Sequence, residues 1–348
     1  MPAGEDPSPA GNYMGRFFLK RTCSAFLTVL CVIVVTFLAA NIIPGDPARL
    51  AAGVQARPEQ IEALRKRYGL DQPVLSQFLH YMHNLFKGDL GFSIRTKRPI
   101  IYDVFEYLPA TLELVFFSLF LTAIIGILLG LLAAYKQSSW VDRFFQIGAA
   151  FGISVPPFWL ALLLQMVAIR IYPKFPITGR LSFGILPPKR LTGFYILDSL
   201  ILGNFATAAD AFIHIILPAV ALSAGNITVI ARMTRSVVID ILDCDYIRTA
   251  RAKGISELRV LFCHALKNAS PVILTSLALQ TGATLVGAVP VEYVYAYPGI
   301  GLYLVHAILF VDYRAVVSVT LIIAILYSVI NLLTDLGYAL LDPRISLA

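Results

Sequence analysis

The sequence predicts an all-α, polytopic membrane protein. Composition is the first reason: 58% of the 348 residues are hydrophobic and only 14% charged, far from the balance of a soluble domain. Mean hydropathy is +0.76. The second reason is that several separate apolar stretches reach the roughly 20 residues that a bilayer-crossing helix needs. The third is that basic residues gather in short segments between those stretches, the pattern of cytoplasmic loops. That bias accounts for the net charge of +7 without nucleic acid, since no RNA- or DNA-reading motif accompanies it. Cys23, Cys31, Cys244 and Cys263 have neither metal-ligand spacing nor the arrangement of a disulfide framework.

In chain order, 1–21 reads as a cytoplasmic N-terminal tail, with Met1 to Asn12 disordered by its Pro, Gly and charge content. Arg16, Lys20 and Arg21 flank a first span over 22–43. That run is too long for a signal-peptide core, and Pro44-Gly-Asp-Pro47 reads as a turn and not a cleavage site. The mixed-charge segment 44–106 reads as an extracytoplasmic loop; its nine Lys/Arg are compatible with that, because long translocated loops are largely exempt from the positive-inside bias. Apolar periodicity predicts amphipathic helices over Pro58–Arg67, stopped at Gly69, and over Val74–Phe86. His80 and His83 share a helix face, but no third ligand accompanies them, so an ordinary amphipathic surface is the better reading.

The core, 107–338, holds five further spans. Span two is Leu108–Tyr135. Span three, Phe144–Ile171, must break or kink at Pro156-Pro157. Tyr172–Asp210 reads as an outer loop, Ala211–Val229 as span four, Ser270–Val291 as span five and Ala315–Leu336 as span six. The outer loop Glu292–Asp312 lacks Lys and Arg before Arg314, and 339–348 is a cytoplasmic tail. Six spans put both termini inside.

Between spans four and five lies the polar stretch 243–268, with Arg248, Arg251, Lys253, Arg259 and Lys267. Apolar Ile247, Ala250 and Ala252 run into Gly254, and Ile255, Leu258, Leu261 and Phe262 then recur at helical spacing. This predicts two short amphipathic helices with a glycine break, a shape suited to docking; the alternative is a connector lying on anionic lipid.

The intramembrane polar residues are Glu113, Gln280, Asn331 and Asp335. Glu113 and Asp335 lie near span ends, where an interface accommodates them at little cost. Gln280 is the deepest, and lining a passage competes with helix-to-helix hydrogen bonding for it. Gly282 and Gly287 predict close packing, against a partner subunit. Glu292, followed by Tyr293, Tyr295, Tyr297 and Pro298-Gly299, reads as a rigid outer turn near a gate. Nothing pairs a nucleophile with a base, and no phosphate-cradling G-x-x-x-x-G-K-[ST] occurs.

Taken together the motifs resemble the permease subunits of peptide-type ABC importers. Asp245-Tyr-Ile-Arg-Thr-Ala-Arg-Ala-Lys-Gly254 with His264-Ala-Leu-Lys-Asn268 resembles their cytoplasmic "EAA" loop, with Arg248-Thr249-Ala250 where the general form has Glu-Ala-Ala. Pro44-Gly-Asp-Pro47, Tyr68-Gly-Leu-Asp71 and Gly88-Asp-Leu-Gly-Phe-Ser93 resemble the long outer loop; Val291 to Gly301 resembles the segment after span five, and Leu341-Asp-Pro-Arg344 the ending. The resemblance implies the type I importer permease fold and a non-catalytic subunit without cofactors. ATP and Mg would sit on two partner ATPases. A second permease, an extracytoplasmic solute-binding protein and the bilayer would complete the partners. Arg248, Ala250, Arg251, Ala252, Lys253, Gly254 and Ile255 would then engage the ATPase cleft. Small Ala250 and Ala252 would allow close approach, and the three cations would set registry. An ion-coupled secondary transporter is the competing class; it would leave the docking loop unexplained.

Overall fold

The computed structural model describes residues 10–42, 47–52, 56–67 and 69–341. Pro44-Gly-Asp46, Tyr68 and Asp342-Pro-Arg344 lie outside them, as does Met1–Pro9 of the N-terminal tail; the side chain of Asp335 is likewise not described. Among the described residues there are five helices long and apolar enough to cross a membrane, plus one helix pair bent by 105° that amounts to a sixth span or a re-entrant element. The chain is therefore an all-α, multi-pass membrane protein.

Helix α1 runs Ala10–Ile42, starting well before the apolar run and taking in Ala10–Asn12 from the stretch expected to be disordered. Three short helices follow: α2 (Pro47–Ala52), α3 (Pro58–Arg67) and α4 (Val74–Phe86), the last two with the boundaries that the apolar periodicity predicts. Gly69, at φ +65°, ends α3. Helix α5 (Ile100–Tyr135) then begins eight residues before the expected span. Helices α6 (Trp140–Ser154) and α7 (Pro157–Ile171) are the bent pair. Their junction, Val155-Pro156, is extended because a residue preceding proline avoids the helical region. Short α8 (Tyr195–Ile201) leads into α9 (Phe205–Leu242), whose 38 residues make a rod of about 57 Å at 1.5 Å per residue. It therefore extends well past a hydrocarbon core of about 30 Å.

Helix α10 (Asp245–Ala252) and α11 (Glu257–Arg259) flank Gly254. A π-helical turn, Val260–Ala265, joins α11 to α12 (Leu266–Val294). Helix α13 (Ile300–Leu309) occupies what the sequence presents as a loop, and α14 (Tyr313–Leu341) closes the described chain. Ten apolar residues are too few to span, which is why α13 does not stand out in hydropathy.

Helices α5, α9 and α12 pack together as the centre; α6, α7 and α8 lie on α9, α13 and α14 on α12, and α1 on α14. The α5–α9 contact is close because Gly126 and Gly130, four apart, bring backbone to side chain: a Cβ on Gly130 would lie 2.6 Å from the Ala231 carbonyl oxygen and 2.6 Å from Thr234 Cβ. This is small-residue packing of the membrane type. The expectation that Gly282 and Gly287 face a partner is corrected. A Cβ on Gly282 would lie 2.2 Å from the Tyr327 ring of α14, and one on Gly287 3.2 Å from Leu222 of α9. Both glycines serve contacts inside this chain.

Candidate functional site

Two polar assemblies sit at opposite ends of α12: a bent helix unit before it, around α10, and a buried carboxylate network after it, around α13.

In the first, α10 ends in a Schellman motif. The Gly254 N–H donates to the Arg251 carbonyl (2.9 Å) and the Ile255 N–H to that of Ala250 (3.3 Å), with Gly254 at φ +76°. That conformation, open to glycine at little cost, is what turns the chain. Arg251 clasps Glu257 across the turn through Nε (2.8 Å) and Nη2 (3.3 Å), while Arg248 reaches Asp245 at 3.3 Å. Ile247 and Ala250 are buried against the chain itself, and Ala252, Lys253 and Gly254 are exposed. Ala250 is thus small for an internal contact, whereas Ala252 is free to meet a partner. Leu258 and Phe262, one turn apart, point outward at 69% and 48% exposure, an apolar pair the sequence shows at helical spacing but does not mark as uncovered. Asn268 Nδ2 joins the π turn to α10, donating to the His264 carbonyl (2.8 Å) and the Tyr246 hydroxyl (3.1 Å). Behind this unit Arg235 of α9 grips Asp142, at the start of α6, with Nε at 2.6 Å and Nη2 at 2.7 Å.

At the other end, Glu292 is fully enclosed. Its carboxylate accepts from the Thr111 hydroxyl (2.5 Å) and from the Gly301 and Leu302 N–H groups (2.8 and 3.0 Å). Thr111 Oγ1 in turn accepts from the Ile300 N–H (2.8 Å), and the N–H of Gly299, the N-cap, bonds the Tyr297 carbonyl (2.7 Å). The four orphan N–H groups of α13 are thereby all satisfied, with a carboxylate at the positive helix end. Pro298-Gly299 makes the approach, and Gly299 must be glycine: a Cβ there would lie 2.3 Å from the Glu292 carboxyl carbon. Displacing that buried group costs about 1–3 kcal/mol from overpacking, with lost hydrogen bonds added. Gly299→Ala is expected to lower the melting temperature in detergent clearly. Gly148→Ala, with nothing within 4 Å of its Cβ, should leave it unchanged, and equal melting of the two variants would refute the close packing.

Glu113, expected near the end of its span, is enclosed by the chain itself. It is buried on α5, paired with Arg180 Nη2 from the loop before α8, and accepts the Ile196 N–H at 2.9 Å. The Arg180 guanidinium lies over the Tyr195 ring, 3.5 Å from its centroid, with Tyr297 5.7 Å away. Sequence reasoning did not find Arg180. The usable signal was that a buried carboxylate requires a cation, and the loop from Tyr172 to Asp210 supplies four: Lys174, Arg180, Lys189 and Arg190. The same loop is organised by Asp198, whose carboxylate takes the Leu191, Thr192 and Gly193 N–H groups and the Thr192 hydroxyl. Burial alone would raise its pKa, but these donors outweigh it and hold it below the usual value. Nearby, Asp103 takes the Thr96 and Tyr303 hydroxyls (2.6 and 2.7 Å), and Asp312 takes Ser93 Oγ (2.6 Å). The Gly88–Ser93 motif is thereby fastened to α13 and α14.

Gln280 sits half-buried at the middle of α12, and four residues on Thr284 accepts from Asn226 Nδ2 of α9 at 2.8 Å. Asn331 is half-buried on α14. No group of three metal-ligating side chains occurs among the described residues; His80 lines a cavity and His83 is exposed.

Long apolar helices, a sharply bent helix pair and an exposed polar elbow define a multi-pass membrane protein. Comparison with known proteins gives the family. Residues 126–347 match the model for the binding-protein-dependent transport system inner membrane component, and residues 14–115 that for the N-terminal part of such membrane components. The chain belongs to this family, whose permease subunits are non-catalytic. It is similar to the probable D,D-dipeptide transport system permease protein DdpB of Escherichia coli, 42% identical across 94% of this chain and 96% of that protein. It is likewise similar to the dipeptide permease DppB of Alkalihalophilus pseudofirmus (40%; 94% and 98%) and the di/tripeptide permease DppB of Pseudomonas aeruginosa (39%; 94% and 98%).

Proposed function

We propose that the chain is a six-span subunit, one of the two permeases of an importer of short peptides. An extracytoplasmic binding protein delivers the cargo, and ATP hydrolysis in two partner subunits drives transport. The observation that carries the reading is the bent α10–α11 unit: a rigid, glycine-turned element whose Ala252, Lys253, Leu258 and Phe262 are exposed. An exposed apolar pair on a segment that also exposes Arg248, Lys253 and Arg259 fits an anchor with polar registry better than a connector. Short peptides as cargo are supported by what the similar permeases are named for. Gln280, at the middle of α12, is the side chain proposed to face the passage, and Glu292, Pro298 and Gly299 brace the turn proposed to form its outer gate.

Uptake is the test of function. Cells lacking their own peptide permeases should take up labelled dipeptides when given this chain together with its partner permease, ATPases and binding protein, and not when this chain is omitted. Uptake without it would sink the assignment. Topology is read separately. Reporter fusions at Pro58 and Lys189 are expected outside and those at Gln137 and Ser256 inside; Lys189 and Ser256 on one side would mean that α9 does not cross.

A further inference from the structure

Helix α4 has three faces, and only two have a role in the fold. Its inner face sets Phe78 edge-on to Phe37 of α1 and stacks Tyr81 on it, with ring centroids 5.2 and 6.0 Å apart, and packs Leu85 against the cluster containing Ile100, Ala315 and Val319. Its polar face, Gln77, His80 and Asn84, lines a cavity of about 510 Å³ between α1, α4 and α14. The third face carries Leu75, Leu79, Met82 and Phe86, spaced four, three and four residues apart on one stripe. At 100° per residue this stripe lies roughly 160° around the helix from the cavity face. Leu75, Leu79 and Phe86 are 70%, 59% and 78% exposed.

The depth of α4 identifies what covers that stripe. Phe37 stands in the last two turns of α1, which ends at Ile42, and Ala315 and Val319 fall in the first two turns of α14, which begins at Tyr313. A helix packed on these residues lies at the level where spans leave the hydrocarbon. It also rests on the peripheral side of the bundle: only 11% of the apolar window of α1 is buried, against 33–50% for the other unbroken spans. Val35 and Leu38 of α1, 65% and 49% exposed, carry the same apolar belt towards α4.

We infer that α4 is an interfacial helix, its Leu75–Leu79–Met82–Phe86 stripe immersed in the headgroup–acyl boundary of the leaflet at the α13 end, its Gln77–His80–Asn84 face turned to water. The occupant is lipid, and the physics is that of amphipathic helices lying in the membrane plane. The segment between α1 and α5 is then held on the bilayer surface instead of standing free in solution. This rests on the multi-pass assignment but not on which leaflet is outer.

The test uses the full chain with its partner subunits in lipid nanodiscs, the four native cysteines replaced, and single cysteines at Leu79, Phe86, Gln77 or His80 carrying a nitroxide. Leu79 and Phe86 should collide preferentially with oxygen, which concentrates in lipid, and Gln77 and His80 with a water-soluble nickel chelate. A fluorophore at Phe86 should be quenched at least twofold more than one at His80 by lipids brominated on the acyl chain. Nickel accessibility at Leu79 equal to that at His80 overturns the inference. So does protection of Leu79 from both reagents, which would mean a protein covers the stripe. An impermeant thiol reagent on a cysteine at His83 reports sidedness independently, so an inverted topology and an absent lipid contact give different results.

Discussion

Glu113→Ala is expected to be among the most destabilising single changes outside the helix contacts. Arg180 is 5% exposed at its side chain and Glu113 8%, so truncation would leave a guanidinium buried without its counter-ion. Breaking such a pair costs about 3–5 kcal/mol. The Tyr195 ring lies beneath Arg180 with or without the carboxylate, so its cation–π attraction does not offset the loss. Arg180 keeps only weaker partners, among them the Tyr297 side chain and, at longer range, the Glu292 carboxylate. Nη2 keeps the Gly193 carbonyl at 3.2 Å, and Nε already lacks a partner. The consequence should be local, because Arg180 and the Ile196 N–H together tie the loop before α8 to α5. Glu113→Ala should therefore lower the melting temperature and expose the 180–196 loop to protease. Replacing both charges, as in Glu113→Leu with Arg180→Met, should recover much of the loss, since a packed apolar pair is often as stable as a buried ion pair. A Glu113→Ala protein that melts with wild type would show that the pair carries no stability.

The parts of this molecule that announce themselves in sequence are those with a strong local cause. Pro156-Pro157 forces a break wherever it falls, and α6–α7 bend there. Pro58–Arg67 and Val74–Phe86 carry their own apolar period, and both fold as read. Gly254 punctuates two amphipathic runs, and the turn is at Gly254. What escapes is decided by distant partners. Glu113 reads as an interfacial carboxylate until Arg180, 67 residues on, folds over it. Helix α13 is invisible to hydropathy because ten residues fall below span length, and its start depends on a carboxylate from α12 and a hydroxyl from α5. Gly282 has the small-residue signature of helix contact, but sequence alone does not distinguish Tyr327 of the same chain from another subunit. For the same reason Ala250 reads as a partner contact although its burial places it inside.

That burial sharpens the test of the proposed coupling element. Ala250→Glu would force a charge into an internal contact and disturb α10 itself, so lost transport there would not distinguish folding from docking. Gly254 and Ala252 do distinguish them. Nothing lies within 4 Å of a Cβ on Gly254, so a side chain meets no clash in this chain and the internal cost is the left-handed backbone alone, about 1–2 kcal/mol. Asparagine visits that conformation more readily than other residues, and Gly254→Asn is expected to keep most transport. Gly254→Arg carries somewhat more backbone strain and also projects a long cation from the exposed apex of the turn. If the unit inserts in an ATPase cleft, that variant should still enter the membrane and melt within a few degrees of wild type, yet lose the ATPase subunits on co-purification and at least tenfold of uptake. Ala252→Glu should do the same without touching the backbone at all. The comparison turns on the partner: strain alone predicts uptake falling in step with melting, a passive connector predicts no loss of ATPase from either variant, and docking predicts losses of ATPase and uptake from Arg well beyond its change in melting. Wild-type uptake with full retention of the ATPases by Gly254→Arg would remove the loop as the coupling element and leave the exposed face of α10–α11 to lipid.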